Sequence, residues 1–171
     1  MDKLIKNGNV VFETAVRKAD ILIRGEKIAA ILAPGEYCGD AEVIDADGLY
    51  VMPGTIDPHQ HLGLYKPLGD AFRMDTPRQA IGGLTTLLNY HRGKGDYYET
   101  VQEAIEDGEA NSLVDFAFSL GLCAKEHLNE LQGYVDRLGI TSFKFFFDKQ
   151  DIAHTFYDLP KEAALTLDKA D

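Results

Sequence analysis

The sequence has no apolar stretch approaching the roughly 20 residues that a membrane-spanning helix needs. Its first residues, MDKLIKNGNV, carry no hydrophobic core of a signal peptide. Cysteine is scarce: Cys38 and Cys123 lie far apart and form no disulfide or metal-binding framework. Two such thiols are expected to be free in a reducing compartment, so a cytoplasmic protein is the expectation. Positive charge is also short. Seventeen Lys and Arg face 28 Asp and Glu over 171 residues, a formal net charge of −11. Nucleic acid and anionic membrane both require a basic face, so neither is an expected partner.

What is present divides near Pro53. Residues 1–52 read as a small β-sandwich portion. Residues 4–6 and 10–12 flank Asn7-Gly8, a pair suited to the positive φ angles of a type I′ hairpin turn. Further strands are expected at 19–23, 27–32 and 42–45, with turns at 24–26, 33–35 and 47–48. From residue 53 to 171, strand-like runs alternate with helical ones. Strands are predicted at 55–57, 84–89, 113–119 and 141–147. Helices are predicted at 75–81, with Pro77 in the first turn, and at 97–111, 125–138 and 160–169. Alternating β and α implies parallel strands joined by right-handed crossovers. Four units fit an open α/β sheet or the first half of a (β/α)8 TIM barrel. A complete barrel takes about 250 residues, so the expectation is an incomplete, truncated barrel.

Two stretches carry chemistry. In PGTIDPHQH, His59 and His61 follow a turn and a short strand. Residues i and i+2 of a strand share a face, so the two imidazoles point at one place, a start for a transition-metal site. Asp57 has the same parity and is suited to orient a histidine. Taken alone, an H-x-H pair more often describes two polar residues bonded to backbone at a strand end. The second stretch is GITSFKFFFDK, with Lys144 inside an apolar run. Such a lysine either snorkels to solvent or points into a barrel mouth. There, a desolvated amine has a lowered pKa and reacts with CO2 to give an anionic carbamate.

Together PGTIDPHQH, GGLTTLL and SFKFF resemble the amidohydrolase superfamily, and within it the cyclic amidases of the dihydropyrimidinase and hydantoinase type. The pairing of D-x-H-x-H with S-F-K-x-F, Lys144 falling 85 residues after His59, is more specific than either motif alone. The resemblance implies that His59 and His61 ligate the more buried of two divalent metals, most often Zn2+. It implies that carboxylated Lys144 bridges both, and that the reaction is metal-assisted hydrolysis of a ring amide. It also implies two further histidines and a catalytic aspartate from later strands. The chain as given is expected to be inactive alone, and a homo-oligomer, dimer or tetramer, is expected.

Some residues depart from the pattern. Hydantoinase-like enzymes carry a tyrosine where this chain has Lys149, which either donates to substrate or is a solvated loop charge. Dihydroorotases resemble H-x-H-x-R, whereas this chain has Gly63. His91, in NYHRG, either contacts substrate or is structural. His127 and His154 are not placed to be ligands. Besides a cyclic amidase, dihydroorotase or allantoinase type, two readings stay open: a non-enzymatic assembly protein related to dihydropyrimidinases, and a stand-alone α/β binding domain.

Overall fold

The computed structural model describes residues 1–93 and 95–145. The chain forms two compact units, Met1–Pro53 and a second beginning at Gly54. The first is a single sheet of five strands: β1 (Lys3–Val11), β2 (Val16–Arg24), β3 (Lys27–Leu32), β4 (Glu42–Asp45) and β5 (Tyr50–Val51). The order is β3-β2-β1-β4, with β5 also on β1. Neighbours β1–β2 and β2–β3 run antiparallel, while β4 and β5 lie parallel to β1. Val10, Ala19 and Ile21 form its buried cluster.

The hairpin expected at Asn7-Gly8 is not there. Residues 3–11 are one strand, whose register on β2 shifts between Ile5 and Gly8. Asn7 takes φ 64° as a bulge rather than as a turn. The cause is tertiary. Asn7 N–H donates to Asp20 Oδ1 (2.8 Å), and its side-chain amide donates to Asp45 Oδ1 (3.1 Å). Asp20 is buried, and its second oxygen accepts from Gly35 N (2.8 Å). A partner 13 residues away thus decides between two uses of the same positive-φ asparagine. The chain reverses later, where Phe12 N donates to Ala15 O (2.8 Å).

The second unit alternates as expected: β6 (Thr55–Gln60), α1 (Leu68–Ile81), β7 (Leu84–His91), α2 (Tyr97–Asn111), β8 (Asp115–Gly121), α3 (Lys125–Asn129), α4 (Leu131–Leu138) and β9 (Phe143–Lys144). Its four strands are parallel in sequential order, the wall of a half-barrel with helices along it. Phe72, Leu87, Tyr97, Val101, Phe118 and Leu120 are the buried core. Helix α2 starts as its sequence dictates, with Asp96 accepting from Tyr98 N (2.8 Å) as N-cap.

Two helices differ from expectation. Helix α1 begins at Leu68, not near Pro77, which lies inside it. An interior proline costs about 3 kcal/mol, offset here by burial of Ala71 and Phe72 in the turns before it. Thr76, also buried, donates to Phe72 O (2.7 Å) and accepts from Leu113 N (3.0 Å), which fixes the turn next to the proline. The single helix expected at 125–138 is two, broken at Glu130 (φ −104°, ψ 5°). There Tyr98 Oη donates to Glu130 Oε2 (2.8 Å) and holds the break. Strand residues 146–147 and the helix expected at 160–169 lie outside the described residues. No helix among the described residues is long and apolar enough to cross a membrane.

Candidate metal centre

Strands β6 and β9 are the two edges of the parallel sheet. Laid flat, three inter-strand steps of about 4.8 Å would part them by about 14 Å. Yet Lys144 Nζ, on β9, lies 3.2 Å from His59 Nε2, on β6. The sheet therefore curls, and both side chains reach across its concave face. His61, just past β6, brings its Nε2 to 3.1 Å from His59 Nε2. Three nitrogens converge from residues 85 positions apart.

Local interactions set this up. Gly54 enters β6 pressed against the Thr85 side chain of β7, where any Cβ would collide with the threonine methyl and hydroxyl. Asp57 acts on the backbone: its Oδ1 accepts from His59 N (2.9 Å) and its Oδ2 from the Gln60 side-chain amide. Asn89 is buried on β7. Its Oδ1 accepts from Leu62 N (2.6 Å) and its Nδ2 donates to Leu62 O (3.3 Å), clamping the peptide next to His61. Tyr90 forms a wall under all three nitrogens. Its ring lies 4.6 Å from the His59 ring and 5.5 Å from that of His61, with Lys144 Nζ 4.7 Å from its centroid.

Sequence reasoning missed Asn89 and Tyr90. The burial pattern of β7 shows the signal that identifies them: Leu87 packs with Phe72 and Val101 of the helices, and Asn89 two residues on is buried as well, so even-numbered Tyr90 faces the concave side. His91 is placed otherwise. Its Nε2 bonds Thr100 Oγ1 (2.9 Å), and its ring packs edgewise on Tyr97 and Phe118. Since Thr100 Oγ1 already donates to Asp96 O (3.0 Å), His91 Nε2–H is the donor. Lys149 and His154 lie outside the described residues. His127 is buried away from the centre: its Nδ1 accepts from Cys123 N (3.2 Å), and Nε2 meets Gly95 O (3.2 Å).

The loops after β7 and β8 are tied together by Tyr97. Its hydroxyl donates to Gly121 O and accepts from Gly93 N (3.1 Å). Burial pushes this phenol far above its usual range, so it stays a neutral donor. Beside the three nitrogens opens a cleft of about 360 Å3, lined by residues 61–64, Leu68 and residues 89–92.

The donors suit a cation. Two imidazole nitrogens and an amine face one another. Burial first, then the positive charges of His59, Lys144 and Arg92, push the His61 pKa down, which favours the neutral ring a metal needs. Among the described residues no three His, Cys, Asp or Glu side chains gather at one point. The third nitrogen at this place is that of Lys144, 3.2 Å from His59 Nε2.

No family model matches the chain. A D-hydantoinase of Geobacillus stearothermophilus is 40% identical over 164 residues, covering 89% of this chain and 34% of that protein. An allantoinase of Salmonella paratyphi B is 35% identical over 151 residues, covering 85% and 32%. A crystal structure of a D-hydantoinase superposes with a TM-score of 0.76 at 35% identity, covering 86% and 33%. Over most of its length the chain is similar to cyclic amidases of the amidohydrolase superfamily. It spans about one third of the length of these relatives. The β-rich first unit and the half-barrel match the corresponding part of the hydantoinase structure. (β/α)8 barrels carry their chemistry at the C-terminal ends of the strands, and His59 and Tyr90 lie at those ends of β6 and β7.

Proposed function

We propose that this chain supplies the first ligands of a divalent metal centre, most simply a Zn2+ pair, in a hydrolase that opens cyclic amides of the hydantoin, dihydropyrimidine or allantoin type. The observation that carries this reading is the approach of Lys144 Nζ to His59 Nε2 across the width of the sheet. A structural lysine on β9 has no need of a histidine on β6. His59 and His61 would hold the metal through Nε2. Lys144, once its neutral amine has added CO2 and released a proton, would offer carboxylate oxygens to the same place. When bound, the metal supplies Lewis-acid polarisation of the ring carbonyl and activation of water. The residues of the chain do the rest of the positioning. Asp57 holds the His59 backbone, Asn89 holds the peptide after His61, and Tyr90 walls off one side of the three nitrogens. The cleft beside His61 takes the ring. The reading extends to a cytoplasmic homo-oligomer, dimer or tetramer, acting on a small molecule.

The test is metal content and ring opening of hydantoin, dihydrouracil and allantoin by the natural protein, with and without bicarbonate, beside its Lys144→Ala variant. The variant is expected to lose bound metal and turnover, and bicarbonate to raise the metal occupancy of the unsubstituted protein. Unchanged metal content and activity in Lys144→Ala would sink the proposal.

A further inference from the structure

The cleft beside His61 has an unusual charge for this chain. Acidic residues outnumber basic ones 28 to 17, yet none of the described residues lining the cleft is acidic. Among those described residues the one permanent charge is the exposed guanidinium of Arg92, where β7 runs out into its loop. No carboxylate among the described residues forms an ion pair with Arg92. Arg92 and His61 line the same cleft. Leu62, Leu64 and Leu68 supply apolar lining. About 360 Å3 is within the range of small-molecule sites and holds a five- or six-membered ring with a short side arm. A ring held with its amide at His61 would carry that arm toward the end of β7.

An exposed guanidinium that pairs with no carboxylate among the described residues is available to an anionic ligand. Arginine's planar fork suits a carboxylate, which it grips by two parallel hydrogen bonds. The sequence offers no arginine two residues after His61, where Gly63 stands, so the grip has to come from the neighbouring strand.

We propose that Arg92 is a specificity-determining residue that selects cyclic amides whose ring substituent bears a carboxylate. This rests on the cyclic-amidase reading, and the experiment separates the two. Hydantoin-5-acetate and its neutral isostere hydantoin-5-acetamide are offered to the metal-loaded natural protein and to its Arg92→Gln and Arg92→Lys variants. Binding is read by calorimetry and ring opening by product assay. The natural protein is expected to bind the acetate at least about tenfold more tightly than the amide. Arg92→Gln is expected to reduce that ratio to about one, and Arg92→Lys to retain part of it. The ratio of kcat/KM for the two rings follows the same order if both are opened. Equal affinity for the two rings in the natural protein, or an undiminished ratio in Arg92→Gln, overturns the proposal. Failure to open either ring counts against the hydrolase reading, while the binding ratio still decides the role of Arg92.

Discussion

Replacing Asn89 by alanine tests whether the proposed metal centre is built by backbone clamping from the next strand. Asn89 is 1% exposed and touches neither imidazole through a hydrogen bond; its partners are the N–H and C=O of Leu62, at 2.6 and 3.3 Å. Truncation leaves a part-buried peptide with both groups unsatisfied. Each unsatisfied group costs about 1–3 kcal/mol, and some of that is recovered by water entering from the cleft. The expected loss is about 2–4 kcal/mol, in urea unfolding of the metal-free protein. The peptide lies directly after His61, so freeing it lets the imidazole wander. Removing partners that orient metal ligands costs about 10–100-fold in metal affinity, and competition with a chromophoric chelator should read a loss in that range. Asn89→Asp is the discriminating variant. It keeps an acceptor for Leu62 N but sets a carboxylate against Leu62 O, so its metal affinity should fall between the two. If Asn89→Ala binds metal within twofold of the natural protein and unfolds within about 0.5 kcal/mol of it, the clamp argument is wrong.

Three further outcomes are expected. Tyr97→Phe removes the hydroxyl that donates to Gly121 O and accepts from Gly93 N; it should cost about 1–3 kcal/mol and speed hydrogen exchange at the Gly93 amide, and an unchanged exchange rate counts against the tie. Gly108→Ala, inside α2, would ordinarily gain about 1 kcal/mol of helix propensity. Here the new methyl would overlap three ring carbons of Phe116, which packs on Phe72 and Phe118, so the sign should reverse to a net loss of about 1 kcal/mol in urea unfolding. His91 gives a pH dependence. Burial first, then the charge of His127, hold its pKa below the ordinary 6.5. The unfolded chain then binds the proton more readily, so the stabilisation from the neutral ring is full above pH 6.5 and is lost as pH falls through the lower folded value. The stability advantage of the natural protein over His91→Asn should shrink between about pH 8 and about pH 5; a constant difference would contradict it.

Much of the framework was legible because it is local. The αβ alternation, the span of α2 and the strands at Lys27–Leu32 and Glu42–Asp45 follow from periodicity and turn residues within a few positions. The convergence of His59 and His61 follows from strand parity, and Lys144 stood out as a charge in an apolar run. The misreadings share one cause, a distant partner overriding a local signal. Asn7-Gly8 reads as a turn until Asp20 claims the Asn7 amide. Pro77 reads as a helix start until the burial of Ala71 and Phe72 extends the helix ahead of it. The sequence periodicity runs through Glu130, and only the bond from Tyr98, 32 residues away, marks the break.

The residues that complete the site were hidden for a different reason. Asn89, Tyr90 and Arg92 lie in four consecutive positions with His91, and nothing in NYHR tells which of them face the concave side. A strand has two faces, and a shift of one residue exchanges them. His91 drew attention because histidine is chemically versatile, yet it lies on the same side as Asn89 and is engaged by Thr100. The face becomes readable only once Leu87 is known to be buried against the helices. From that single fact the parity assigns Tyr90 to the three nitrogens and Asn89 to the clamp. The strand then ends, alternation lapses, and Arg92 is free to enter the cleft from the loop. The histidine pair proposed to hold metal is written at the end of β6 and just past it, but the groups proposed to aim it and to choose its substrate are written in β7 and at its exit, in a pattern that acquires meaning from packing.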